Sequence, residues 1–597
     1  MNTTQTTRTL LLIGSLLLLL TGCGTSSDPT SSSGGTPWGV NPVPTPGARS
    51  RGADGMGASD TAGWRGRADA AMWIDAGSAA ADTGSTSDAG ASDGASGDAG
   101  ATPEDDAFTG GNTGLSQAGA QDFGLFRQIL EQGQIPAPET IDDLGFFAEH
   151  KFDYPDPTCG QNMCMHALLG EMGNLITGST CTLIQIGLNT PIKVDSLKRP
   201  PLHLVLAIDT SNSMVGQPLT YVKQGLSQML DNLQAEDHVT LVTFSDTAKT
   251  VFEHLGVGDK TKMQKAVLSL TAGAGTHLYD GLFTAFAKAS KYAGKNLESR
   301  VVLLSDGQPT TGIASSAKYV SLAKGYAVQG IGITTIGVGT NFSIDILRDI
   351  AEVGAGNFYF LDKPAAVKEV FTEEVKTFLV PIALDVKMDV SIGDAWVIRE
   401  GYGTHGWKGK SGGGSVHIPS LFLAGRLKSD TPLPTTPGTG RRGGGGAILI
   451  EAMPFPGVKP KSSVVGTVKL SWQHPQTGAI HTQTSTIDKQ AAKIQIADGG
   501  VFTNGTVEKG FVMLNIFVGF QQASQLAVDG DPGAAIGTLL SLKGAVQSWL
   551  DDKKQAGATP DPDIVDDLIY VDLFLTNLKK LKNQTPVSKP PEPWPKD

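Results

Sequence analysis

The chain has 597 residues, more than one hydrophobic core usually serves, so several domains are expected and a single one is excluded. Glycine (75 residues) and proline (33) crowd into a few stretches, which marks part of that length as tether rather than fold. The formal charge of -12 sits mostly in one of them. Residues 24–118 hold twelve acidic side chains against Arg49, Arg51, Arg65 and Arg67, which leaves -4 elsewhere and no electrostatic footprint for nucleic acid.

At the N-terminus Arg8 precedes an eleven-residue apolar run, 10–20, too short for a spanning helix but suited to the h-region of a secretory signal. The run ends in Leu20-Thr21-Gly22-Cys23, which resembles the lipobox of bacterial lipoproteins. That resemblance implies a signal peptide over 1–22, cleavage before Cys23 and lipidation of its thiol, an anchor in the membrane without a spanning helix. Gly24 stands where an Asp often retains such proteins at the inner membrane, so a lipid-anchored position in the cell envelope, at the outer membrane, is expected. No later stretch reaches eighteen consecutive apolar residues, which excludes an ion channel on span length.

Residues 23–118 read as a disordered tether of Gly, Ser, Ala and Asp. Within it Gly90-Ala91-Ser92-Asp93-Gly94 spells a hydrolase motif, but neither the strand nor the helix of a nucleophile elbow flanks it. A flanking segment follows over 119–200. There Phe123, Phe126, Ile129 and Leu130 recur at helical spacing before Gly133 and Pro136, and 181–188 reads as a strand. In an oxidising compartment Cys159, Cys164 and Cys181 are an odd set; a Cys159–Cys164 disulfide is favoured by proximity over a zinc site built from that pair and His166.

From 201 to 380 apolar strands alternate with amphipathic helices, the signature of a doubly wound α/β sheet. Strands are expected at 202–208, 238–244, 250–254, 300–304, 331–338 and 357–361. Helices are expected at 219–233, 260–270, 279–292, 345–353 and 367–379. Residues 381–508 turn to strand-like alternation and glycine-rich turns, a β-rich domain. In it Gly438-Thr439-Gly440-Arg441-Arg442 lacks the Lys and Ser/Thr of a phosphate loop and reads as a hairpin turn. A helical segment over 509–597 closes the chain, with Asp531-Pro532 and Asp561-Pro562 opening helices and a Pro-rich tail.

The chemistry concentrates at the ends of the doubly wound strands. Asp209, Ser211 and Ser213 alternate just past the first strand, Thr276 ends a Gly-rich turn, and Asp306 follows the strand at 300–304. With strand order 3-2-1-4-5-6 the first and fourth strands are neighbours at the switch point, so Asp209 and Asp306 are expected to meet there. Two carboxylates and three hydroxyls without His or Cys suit Mg2+, or Mn2+, better than zinc. A position left in the shell would accept a carboxylate from a partner. His277, beside Thr276, reads as a structural or exposed residue.

These five residues and their flanking strands resemble the von Willebrand factor type A domain and its metal-ion-dependent adhesion site. The resemblance implies direct coordination by Ser211 and Ser213, with Asp209, Thr276 and Asp306 binding directly or through water. The stretch 126–138 is similar to the N-terminal segment of bacterial lipoproteins that carry such a domain. The expected architecture is therefore a Rossmann-like domain inserted in a β-rich platform built from 119–200 and 381–508, with helices at its C-terminus. The expected function is non-enzymatic: engagement of a protein or glycan ligand through the metal. A Mg-dependent hydrolase would need a base and nucleophile held by a third group, which the sequence does not offer; a scaffold that leaves the metal site unused is the other alternative.

Overall fold

A computed structural model of the chain describes residues 112–117, 123–193, 200–294, 297–305, 309–327, 329–338, 344–361, 381–424, 445–455, 457–496, 499–580 and 586–587. The lipobox with Cys23, the tether motif at 90–94, Asp306, the helix expected at 367–379 and the turn at 438–442 lie outside the described residues.

The flank before the doubly wound unit contributes β1 (Thr113–Gln117), α1 (Gly124–Glu131), α2 (Asp143–Glu149), β2 (Cys164–Gly173) and β3 (Thr180–Thr190). The unit itself runs β4 (Leu202–Asp209), α3 (Gln217–Asp231), β5 (His238–Phe244), β6 (Ala248–Gly256), α4 (Lys260–Leu268), α5 (Leu278–Tyr292), β7 (Glu298–Ser305), α6 (Ser316–Ala327), β8 (Gly332–Val338), α7 (Ile344–Val353) and β9 (Phe358–Leu361). After it come β10 (Pro381–Ile392), β11 (Trp396–Tyr402), β12 (Lys408–Lys410), β13 (Gly413–Leu423), β14 (Ile448–Pro454), β15 (Val464–Gln473), β16 (Ile480–Asp488), β17 (Ile494–Gln495) and β18 (Val501–Phe502). Three helices follow: α8 (Gly505–Val528), α9 (Pro532–Gln555) and α10 (Pro562–Lys580).

The six strands of the unit lie in the order β6-β5-β4-β7-β8-β9, the 3-2-1-4-5-6 order expected, with β6 antiparallel at the edge. All eight residues of β4 are buried, because helices cover both faces of a central parallel strand. α3 shows how such a cover forms: Gly216 (φ 91°) turns the chain, Pro218 starts the helix, and Leu219, Val222, Leu226, Met229 and Leu230 recur on the face that packs on the sheet. Each such aliphatic side chain, fully buried, contributes about 1.5–3 kcal/mol.

Strands from both sides of the unit share one sheet, in which β1 pairs with β3 and β13, and β14 with β3. The platform is thus closed around the unit by pairing between segments more than 250 residues apart. β10 shows its two faces, with Val386, Met388, Val390 and Ile392 buried and Asp385, Lys387, Asp389 and Ser391 exposed between them. β1 corrects the extent read for the tether: 113–117 is a buried strand, because its backbone pairs on both sides although its composition is that of a linker. Cys159 and Cys164 form the expected disulfide. His166 is no zinc ligand; its Nε2 meets Asn189 Oδ1 at 2.8 Å and its ring stacks on Tyr154.

α8 is long and apolar enough to cross a membrane by length and composition, yet its residues from Thr506 to Phe517 are all buried in the protein, against α9, α10 and the sheet. Asp531 caps α9 by accepting the Ala534 N–H at 2.8 Å, and Asp561 accepts from Asp563 and Ile564 at the start of α10. α1 is wedged between two cores. Leu125 and Ile129 join the core of the doubly wound unit, Phe126 and Leu130 join the helical core, and Arg127 is buried in an ion pair with Glu149.

Candidate metal centre

The site is built on the loops at the carboxyl ends of β4, β5 and β7. Asp209, the last residue of β4, is fully buried. Its Oδ1 accepts the Ser211 N–H at 2.8 Å and its Oδ2 accepts the Ser305 hydroxyl, at the end of β7, at 2.6 Å. These bonds fix the carboxylate across the switch point between the first and fourth strands. Ser211 and Ser213 stand side by side with their Oγ atoms 2.9 Å apart, Ser211 buried and Ser213 exposed, so one edge of the pair opens to solvent.

The loop that carries Thr276 is pinned to the first loop by backbone bonds, Gly273 N–H to Thr210 O and Asn212 N–H to Ala274 O at 3.0 Å. It is pinned to the loop after β5 by His277 N–H to Ser245 O at 2.6 Å. Thr276 itself is buried, and its N–H donates to Thr310 Oγ1 at 2.8 Å. Asp306 lies outside the described residues; of the described residues in this loop, Ser305 is bonded to Asp209 and Thr310 to Thr276. Of the five residues expected as ligands, the fold gathers the loops of Asp209, Ser211, Ser213 and Thr276 at one end of the sheet.

Two residues at the centre escaped sequence reasoning. Ser305 orients Asp209, and Asp246, exposed after β5, accepts the Gly275 N–H at 2.9 Å and shapes the Thr276 loop. The signal for Ser305 was its place directly before Asp306 at a strand end. His277 is structural: its Nδ1 accepts the Asp280 N–H at 3.2 Å and caps α5, and its ring fills the space a Cβ on Gly312 (φ 77°) would need.

The donor set fits a hard divalent cation. A buried carboxylate stands at the base of a loop that carries two neighbouring hydroxyls, with a third hydroxyl on Thr276 and no soft ligand among these four residues. Ser211 and Ser213 share one hydrogen bond, and their two neighbouring hydroxyl oxygens would present lone pairs to a cation.

A second group of ligand atoms, from Asp142, Asp143 and His405, lies within 4.8 Å of one another. It works differently. His405 Nε2 meets Asp142 Oδ2 at 2.7 Å, and Nδ1 meets Glu352 Oε2, on α7, at 3.0 Å. Burial works against its charge, but the Asp142 carboxylate and the hydrogen bonds to Asp142 and Glu352 outweigh it and push the imidazole up to about 11. An imidazolium has no lone pair for a metal, so His405 is a cationic strut between the doubly wound unit and the platform. Burial, reinforced by the neighbouring Asp142, raises the Asp143 carboxyl, which also accepts the Gly403 N–H at 2.6 Å.

Residues 203–373 match the von Willebrand factor type A domain family, and the α/β fold is of that type. Domains of this type commonly bind a divalent metal at this site and often mediate protein interactions. Among curated relatives, the uncharacterized protein YfbK of Escherichia coli is 26% identical over 277 residues, covering 45% of this chain and 48% of that protein. The inter-alpha-trypsin inhibitor heavy chain H2 of Homo sapiens is 26% identical over 170 residues, 27% of this chain and 18% of that one. The chain thus spans at most about half the length of these relatives. A solved von Willebrand factor type A structure from Catenulispora acidiphila aligns with 71% of this chain and 97% of its own, with TM-score 0.44 and 16% identity.

Proposed function

We propose that the protein is a lipid-anchored binding protein of the cell envelope, whose centre at Asp209 holds Mg2+, or Mn2+, and through it a carboxylate of a protein or glycan ligand. The observation that carries this reading is the buried Asp209 carboxylate, fixed by Ser211 and Ser305, beside a serine pair with one edge open to solvent. The metal would supply a Lewis-acidic position for an outside oxygen. Asp209 would balance its charge, Ser211 and Ser213 would present hydroxyl oxygens, and Ser305 would keep the carboxylate from rotating. Anchorage rests on Cys23 in its lipobox, with the outer membrane favoured by Gly24.

Crosslinking in cells tests the ligand: Asp209→Ala, or EDTA with the wild type, is expected to remove the specific crosslinked partner. Equal recovery under all three conditions would leave a scaffold that does not use the metal. Turnover of a phosphoester or peptide panel that vanished in Asp209→Ala would replace binding by hydrolysis. For the anchor, Cys23→Ser is expected to leave the protein out of the membrane pellet, and a variant still pelleted after a salt wash would refute it.

A further inference from the structure

Away from the metal loops, the platform carries a cleft of about 560 Å³ between the turn after β10, the strand β11, the β12–β13 hairpin and the segment after β14. Its size is within the roughly 300–1,000 Å³ usual for small-ligand sites. Three of its walls are aromatic. Trp396 is buried, with the Lys489 ammonium 4.8 Å from its ring centre, so that indole serves as a fixed wall. Trp407 is half-buried and fits against Gly401 and Gly414, where a Cβ on either glycine would collide with the indole. Phe455 is 51% exposed at the rim.

The polar groups around these rings discriminate among occupants. Both cations of the lining stand by a carboxylate, Arg399 by Glu451 at 3.8 Å and Lys410 by Asp389 at 3.2 Å, and Lys489, over the Trp396 ring, is paired with Glu171 at 2.5 Å. Asp394 adds a further carboxylate to the lining. Among the described lining residues the cations are thus balanced by carboxylates, which gives an anion little to bind, yet N–H donors and carboxylate acceptors stay in reach of hydroxyl groups. Flat aromatic walls beside paired donors and acceptors match a sugar ring, with an apolar C–H face and a periphery of hydroxyls. We propose that this cleft binds a neutral glycan, with a pyranose packed against Trp407 and Phe455 and its hydroxyls bonded to Asp394, Arg399 and Lys410. The site is independent of the metal centre and of the function proposed for it.

Affinity electrophoresis of the full chain through gels containing dextran, amylopectin, galactomannan or laminarin, with polygalacturonate as the anionic comparison, tests the assignment. Retardation is expected in at least one neutral polymer, unchanged by EDTA and by Asp209→Ala. Trp407→Ala is expected to weaken it about tenfold, and Phe455→Ala, at an exposed side chain that leaves folding intact, about threefold. Circular dichroism melts report whether Trp407→Ala folds; the Phe455 variant decides the matter if it does not. Migration unaffected by every neutral polymer, retardation by polygalacturonate alone, or retardation that the Phe455 substitution leaves undiminished would overturn the proposal.

Discussion

The two ends of the doubly wound sheet are built on opposite terms. At the carboxyl ends of the strands, hydroxyls on the loops gather by the Asp209 carboxylate, and Ser213 reaches solvent. At the amino ends, His203 on β4, His238 on β5 and His254 on β6 cluster with Tyr292. His238 stacks on His254 at 4.1 Å and His254 on Tyr292 at 3.9 Å. The Nδ1 atoms of all three histidines are buried without a partner among the described residues. The first end holds polar groups that another atom can approach; the second holds ring nitrogens packed among aromatic rings and closed off from solvent. Substitutions at the base and flank should therefore cost stability and spare metal binding, whereas those at the metal loops should do the reverse.

The largest expected loss comes from the flank. Arg127→Ala leaves Glu149 buried without the guanidinium it is bonded to, and should destabilise the chain by about 3–5 kcal/mol. Denaturant unfolding measures it, and an unchanged midpoint would mean the pair is immaterial.

The base predicts an acid-side loss. Burial, with the neighbouring His254 and His238, pushes the His203 imidazole down to about 3 from its ordinary 6.5. The unfolded chain then binds the extra proton between those values, so this contribution is complete above pH 6.5 and lost as pH falls towards 3. The loss is a few kcal/mol, with about 5 as the upper bound. His203→Leu should flatten that stretch of the stability–pH curve; a slope equal to wild type would contradict the burial argument.

The strut at His405 has the opposite sign. Its imidazole is raised to about 11, so its contribution is complete below pH 6.5 and lost as pH rises through 11. Neutral pH should thus be the optimum for both histidines. His405→Ala leaves Asp142, Asp143 and Glu352 facing one another, and we expect a loss of about 1–2 kcal/mol because the group is partly exposed. Faster hydrogen exchange over α7 would locate that loss; unchanged protection there would show the strut to be ornamental.

How much of this was legible in the sequence depended on how local the determinants were. β4, β7 and β8 announced themselves because a parallel strand covered on both faces reads as a largely apolar run, and the aspartate that ends β4 and the serines after it were placed by that strand alone. α6 was missed because only Tyr319 and Ala323 of its twelve residues are buried, too few to make a period. β1 was missed because its pairing partners lie some 75 and 300 residues away. The His405 strut had no local signal, since its carboxylates stand at 142, 143 and 352.

The smallest expected change in stability is at Asp209, where replacing a buried carboxylate in the metal-free protein should shift unfolding by no more than about 1 kcal/mol. The same residue therefore gives the most direct test of the account. Calorimetric titration of Mg2+ into the wild type should show saturable binding at one site, and Asp209→Ala, folded by circular dichroism, should give only heats of dilution. Equal binding heats in the two proteins would contradict the assignment of the metal centre.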